Sequence, residues 1–151
     1  MPPDPLAGSE PPRAESSGEG LREELQRRVD AIEAGYELML AYAAQGLPSD
    51  TTAANGAQLR EFLRRFDAAL TGLAEQYRDL IAAESEAPAE AYDGFLAVLA
   101  QDAKAAQAGL RVVMAQSSIS SQLVDNLNAS IHVRALLTDV FLIDELLKQR
   151  V

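Results

Sequence analysis

LREFLRRFDAALTGLAEQYRDL, residues 59–80, is the stretch that determines the fold prediction for this chain. Its large apolar side chains recur at alternating steps of four and three residues, which places them along one side of an α-helix. The members of this seam are Leu59, Leu63, Phe66, Leu70, Leu73, Tyr77 and Leu80. Phe62, Ala69 and Ile81 widen the stripe beyond a coiled-coil seam, as a helix inside a bundle requires. The pattern therefore predicts one long helix over residues 57–84.

Local signals mark the start of this helix and the end of the one before it. Asn55 and Gln58, three residues apart, predict a capping box. An apolar seam over residues 21–45 predicts a preceding helix, which Gly46 ends with a left-handed cap. A third seam, over residues 89–116, predicts another helix of similar length.

The fourth predicted helix, residues 121–149, follows a serine-rich break in which Ser120 or Ser121 is the expected N-cap. Because the loops are short, successive helices should be antiparallel neighbours. We therefore predict an all-α fold, an up-down-up-down antiparallel four-helix bundle over residues 21–151. In the third helix, the small side chains of residues 103–109 would let a neighbouring helix approach closely or leave room for a large side chain from across the bundle.

Residues 1–20 are rich in proline, glycine, serine and glutamate and contain almost no large apolar side chain. Such a composition cannot bury enough surface to offset the loss of chain entropy, so we predict a disordered tail. The segment lacks the features of a signal peptide, and no apolar run in the chain reaches the roughly 20 residues of a membrane helix. We therefore expect a cytoplasmic location and no membrane partner.

The charge balance and the absence of cysteine exclude several classes of function. The chain has 13 lysine and arginine residues against 23 acidic ones, a net charge of −10 at pH 7. This balance argues against nucleic acid as a partner, because binding to the phosphate backbone depends on clustered basic side chains. Without cysteine there are no disulfides, cysteine-based zinc sites, iron–sulfur clusters or thiol nucleophiles.

The residues that catalysis requires are also missing from the sequence. A two-metal carboxylate site in a helical bundle needs Glu-x-x-His motifs on two helices. The chain has one histidine, His132, and the residue three positions before it is Ala129. The serines form no Gly-x-Ser-x-Gly elbow, and no glycine-rich phosphate loop follows a predicted strand. We therefore predict no enzymatic activity, no catalytic residue, no metal and no cofactor.

The fourth predicted helix has apolar residues on two sides instead of one. Its first stripe consists of Val133, Leu136, Leu137, Val140, Ile143 and Leu147. A second stripe, roughly opposite, consists of Ala135, Leu142 and Leu146 and is extended by Val124 and Ile131. A helix that is apolar on two sides must be covered on two sides. Either it lies deep within a tilted bundle, or the second stripe binds a partner protein or a second copy of the chain.

The segment that begins this helix contains an unusual set of polar residues. Asp125, Asn128 and His132 recur on nearly the same side, and Arg134 follows closely. Such a polar ladder could hydrogen-bond across the bundle to a tyrosine, Tyr36 or Tyr42, and fix the helix register. The other interpretation is a binding site for a ligand or a partner.

These observations favour a non-catalytic cytoplasmic interaction module, such as an adaptor, an assembly factor or a chaperone, that binds a protein partner or forms a homodimer. One alternative is a histidine phosphotransfer domain that uses His132, with Arg134 as the nearby cation. Another is a small-molecule sensor with a pocket lined by Ala103, Ala106, Asn128 and His132.

Overall fold

A computed structural model describes residues 18–148, and this part of the chain contains six α-helices and no strand. The helices are α1 (Glu19–Ala44), α2 (Gly56–Leu70), α3 (Leu73–Glu84), α4 (Ala89–Met114), α5 (Ser121–Ala129) and α6 (Ile131–Lys148). The all-α class is confirmed, but the count of four helices is wrong. The predicted helices 57–84 and 121–149 are each divided in two. The predicted disordered tail lies outside the described residues as far as residue 17, and α1 already begins at Glu19.

The break between α2 and α3 is caused by the backbone of Thr71 and Gly72. Thr71 is extended, with ψ of 118°, and Gly72 has φ of +77°, a left-handed conformation that glycine adopts without a steric penalty. Side chains from two other helices bind the exposed end of α2. Arg28 donates to the carbonyl of Ala69 at 3.0 Å, and the Gln107 amide donates to the Thr71 hydroxyl at 2.8 Å. The apolar seam continues across this break, so periodicity alone did not reveal it.

The break between α5 and α6 lies at Ser130, whose backbone is extended with ψ of 129°. The Ser130 amide donates to the carbonyl of Leu127 at 3.1 Å, which closes the last turn of α5. The residues before it, Asn126 and Asn128, are weak helix formers because their side chains compete for backbone hydrogen bonds. The sequence therefore contained a signal for this break, although the prediction continued the helix through it.

The caps were predicted with mixed success. Gly46, with φ of +64°, follows the end of α1 as expected. Ser120 is the N-cap of α5, and its hydroxyl accepts from the Leu123 amide at 3.0 Å. Asn55 is the N-cap of α2, but its side chain makes no capping hydrogen bond, so the predicted capping box is wrong.

The core lies between α1, which packs against α2, α3 and α5, and α4, which packs against α2, α3, α5 and α6. The carboxyl groups of Asp102 on α4 and Asp139 on α6 lie close together. Further along α4, a Cβ atom at Gly109 would lie 3.2 Å from the Leu127 side chain on α5. As the residue number on α4 rises from 102 to 109, the number of the residue that it contacts falls from 139 to 127. The chain through α5 and α6 therefore runs antiparallel to α4. The Leu127 side chain thus packs against Gly109, one of the small residues of α4.

A hydrogen-bonded network joins the α1–α2 loop to the α4–α5 loop at one end of the molecule. The buried carboxylate of Asp50 accepts from the Arg60 guanidinium at 2.5 Å and from the Ile119 amide at 2.7 Å. The Tyr42 hydroxyl donates to the Ile119 carbonyl at 2.6 Å, and the Ser121 hydroxyl donates to the Tyr42 carbonyl at 2.6 Å. Burial opposes ionisation of Asp50, but the bonds from Arg60 and Ile119 outweigh it and hold its pKa below the usual value. This network fastens the two loops together.

Candidate functional site

Four of the five residues predicted to bind a partner lie on one side of α6. At 3.6 residues per turn, Ile131, Ala135, Leu142 and Leu146 fall within roughly 60° of one another around the helix. The exposed fractions are 72% for Ile131, 48% for Leu142 and 38% for Leu146. The described part of the chain therefore does not cover this stripe.

The fifth predicted residue, Val124, is fully buried in the core and does not belong to this surface. The prediction extended the stripe through Ser130 as if the helix were continuous. Because the helix is broken there, the side of α6 that faces solvent does not continue along α5.

Helix α4 contributes Val98 to the same surface, a residue that was not predicted from the sequence. Val98 lies four residues before Asp102 on α4, and Leu142 lies three residues after Asp139 on α6. Since the two helices are antiparallel, both side chains lie about one turn from the two carboxyl groups in the same direction. Val98 is 47% exposed. No periodicity within a single helix reveals a surface that two helices share.

We define the α4–α6 face as the apolar residues Val98, Ile131, Ala135, Leu142 and Leu146 together with the carboxyl groups of Asp102 and Asp139. The neighbouring Phe141 is 53% exposed but lies outside it, because successive residues are about 100° apart around a helix. Phe141 is therefore a natural control position.

The two carboxyl groups of the face have no cationic partner among residues 18–148. The Oδ2 atom of Asp139 is buried and has no hydrogen-bond donor among the described residues. Burial, followed by the hydrogen bond and the negative charge of Asp102, raises the pKa of Asp139 to about 7. The ion pairs of residues 18–148 involve other carboxylates. Asp139 is therefore mostly protonated below about pH 7.

This proton makes stability depend on pH. The pKa of Asp139 rises from 3.8 to about 7 on folding, so between these values the folded protein binds a proton that the unfolded chain does not. Stability should therefore fall as the pH rises from about 4 to 7. We expect Asp139→Asn to unfold like the wild type at pH 4 and to be about 1 kcal/mol more stable at pH 8, a figure reduced for solvent screening. Urea unfolding of both proteins tests this, and a stability difference between variant and wild type that is the same at pH 4 and pH 8 would contradict the assignment.

The predicted polar ladder is not assembled. Asp125, His132 and Arg134 are exposed, whereas Asn128 is buried and neither amide atom of its side chain has a hydrogen-bond partner among the described residues. The break at Ser130 separates Asn128 from His132, and the Tyr42 hydroxyl already donates to Ile119. The predicted sensor pocket is not supported either, since Ala103 and Ala106 are buried in the core while His132 is exposed.

A cleft of about 310 Å³ opens between α1, α3 and α6. Its lining residues are Arg22, Leu25, Gln26, Val29, Glu33, Tyr77, Leu80, Asp144, Leu147 and Lys148. The Tyr77 hydroxyl donates to the Asp144 carboxylate at 2.7 Å. Burial raises the pKa of Asp144, although the bond from Tyr77 opposes this shift, and burial also raises the pKa of the Tyr77 phenol. The cleft could not be predicted from the sequence, because its residues come from three helices.

Residues 18–148 contain no group of three or more histidine, aspartate or glutamate side chains arranged to hold a metal ion. Among the helices of this range, none has both the length and the apolar character that crossing a membrane requires. Comparison of the chain with protein-family models, curated proteins and solved structures found no match.

Proposed function

We propose that this chain is a non-catalytic protein-interaction module, an adaptor, assembly factor or chaperone, that binds another protein through the α4–α6 face. The observation that carries the proposal is the exposure of Leu142 and Val98 on adjacent helices, about one turn from the same carboxyl pair. Large apolar side chains that gather on two neighbouring elements mark interaction surfaces more often than isolated ones do.

The charge of the face favours a different protein over a second copy of the chain. A two-fold symmetric interface pairs the same surface of both subunits. Two α4–α6 faces brought together would place Asp102 and Asp139 near the same residues of the other copy. Burying these like charges would cost free energy.

The proposal is tested by affinity capture from the native cell extract with three proteins: the wild type, Leu142→Glu and Phe141→Glu. Residues 141 and 142 are adjacent and similarly exposed, but only Leu142 lies on the face. We expect the wild type and Phe141→Glu to retain the same partner and Leu142→Glu to lose it by at least about tenfold, since a buried unpaired charge is costly. All three should have the same helical circular dichroism.

A second variant protects this test from a folding defect. If Leu142→Glu loses helicity, Val98→Glu changes the face from α4 and should lose the same partner. Retention of the partner by the folded variants would contradict the proposal. A wild-type dimer in light scattering that Leu142→Glu dissociates would make the face a self-association surface instead.

Histidine phosphotransfer is the second candidate, and the exposed side chain of His132 favours it because a phosphodonor needs access. Incubation with a phosphodonor kinase and its receiver, followed by mass measurement, separates the two functions. Under the leading proposal we expect no acid-labile phosphate on the wild type. Phosphate that His132→Gln abolishes would instead support phosphotransfer.

A further inference from the structure

We propose that the α4–α6 face binds a partner helix that presents one lysine or arginine, flanked by apolar side chains, to Asp102 and Asp139. This inference rests on the proposed function and specifies the chemistry of the partner.

A pair of neighbouring carboxyl groups lies at the centre of the face. The negative charge of Asp102 helps to raise the pKa of Asp139, and no ion pair of residues 18–148 reaches either residue. Two neighbouring carboxylates repel each other, and a charged donor forms the strongest hydrogen bond to a carboxylate. A cation supplied by a partner would offset this repulsion, so the face favours a basic residue.

Apolar surface flanks the carboxyl pair on both sides. Val98 and Leu142 lie about one turn away in one direction, and Ala135 lies about one turn away in the other. A helix that covers these residues excludes water from the carboxyl groups, which strengthens the attraction to a cation. Helices bind apolar grooves through residues spaced at i, i+3, i+4 and i+7, so a single basic residue fits between such anchors.

The charge of the whole chain supports the same partner. The net charge of −10 attracts a basic segment over long distances and accelerates its encounter with the face. Two other occupants fit poorly. A second copy brings two more carboxyl groups, and residues 1–17 contain Asp4, Glu10 and Glu15 against Arg13 alone.

The inference is tested with a displayed library of helices about 18 residues long that have an apolar seam and randomised central positions. Selection uses the folded full-length chain, with removal of helices that also bind Leu142→Glu. We expect the recovered helices to share lysine or arginine at one fixed position of the seam. Changing that residue to glutamine should weaken binding to the wild type by about tenfold or more.

Two double variants identify the source of this preference. In Asp102→Asn/Asp139→Asn the change from lysine to glutamine should have less than about a twofold effect, because the carboxylates are gone. Asp79→Asn/Asp93→Asn makes the same two substitutions at exposed positions away from the face and should retain the full preference.

The outcomes separate this inference from the proposed function. Failure to recover any helix that depends on Leu142 would overturn the inference, while affinity capture with Leu142→Glu and Phe141→Glu decides the proposed function independently. Recovered helices that need Leu142 but share no basic residue would overturn the inference alone. Equal loss of affinity from the glutamine change in both double variants would also overturn it, since the cation would then not contact Asp102 and Asp139.

Discussion

Replacing Gly56 with alanine is expected to lower the free energy of unfolding by about 3 kcal/mol or more. A Cβ atom at this position would lie 1.8 Å from the carbonyl oxygen of Asp50 and 2.7 Å from its carbonyl carbon. These are backbone atoms, so no side-chain rotation relieves the clash. Moving the backbone of Asp50 would also disturb the bonds that its carboxylate accepts from Arg60 and Ile119.

Gly94→Ala is the matched control for this substitution. Gly94 lies in α4, and a Cβ atom there would have nothing within 4 Å. Alanine favours the helix over glycine, so we expect a gain of about 0.4–1 kcal/mol. Urea unfolding followed by circular dichroism measures both variants. An unchanged midpoint for Gly56→Ala would show that the α1–α2 loop does not approach α2 as closely as described.

Asp50→Ala is expected to cost about 3–5 kcal/mol, the typical effect of removing one partner from a buried ion pair. The side chain of Asp50 is 4% exposed and that of Arg60 is 26% exposed. The substitution leaves the buried Ile119 amide without its acceptor and Arg60 without its counterion. The joined loops should therefore separate before the rest of the molecule unfolds, which hydrogen exchange at Ile119 would detect.

The ion pair between Asp67 and Arg111 provides the comparison. Its arginine side chain is 60% exposed, and exposed pairs contribute between about 0 and 1 kcal/mol. Asp67→Ala should therefore shift the unfolding free energy by no more than about 1 kcal/mol. Similar losses for Asp50→Ala and Asp67→Ala would contradict the special role of the Asp50 network.

The sequence was sufficient to predict the helical class, because apolar residues spaced four and three positions apart lie on one side of an α-helix. It was not sufficient to predict where helices break. The seam passes through Thr71 and Gly72 without a change of phase, since the break is stabilised by Arg28 and Gln107 from distant parts of the chain. At Ser130 the weak helix formers were noticed, but their consequence depends on how α5 and α6 pack.

The candidate site shows the same limit. The exposed apolar side of α6 was predicted from residues such as Leu142, because the spacing of residues within one helix determines which of them share a side. Val124 was misplaced by the break at Ser130, and Val98 was missed because it belongs to another helix. The contact of Asp102 with Asp139 joins positions 37 residues apart in the sequence, and only the packing of α4 on α6 brings them together.

Site-specific photo-cross-linking in living cells tests the central claim most directly. A photoreactive amino acid replaces Leu142 in one protein and Phe141 in another, two neighbouring positions of similar exposure. We expect a discrete cross-link to a second protein from position 142 and none from position 141. Equal cross-linking from both positions, or no cross-link from position 142, would contradict the assignment of the α4–α6 face as the binding surface for a partner.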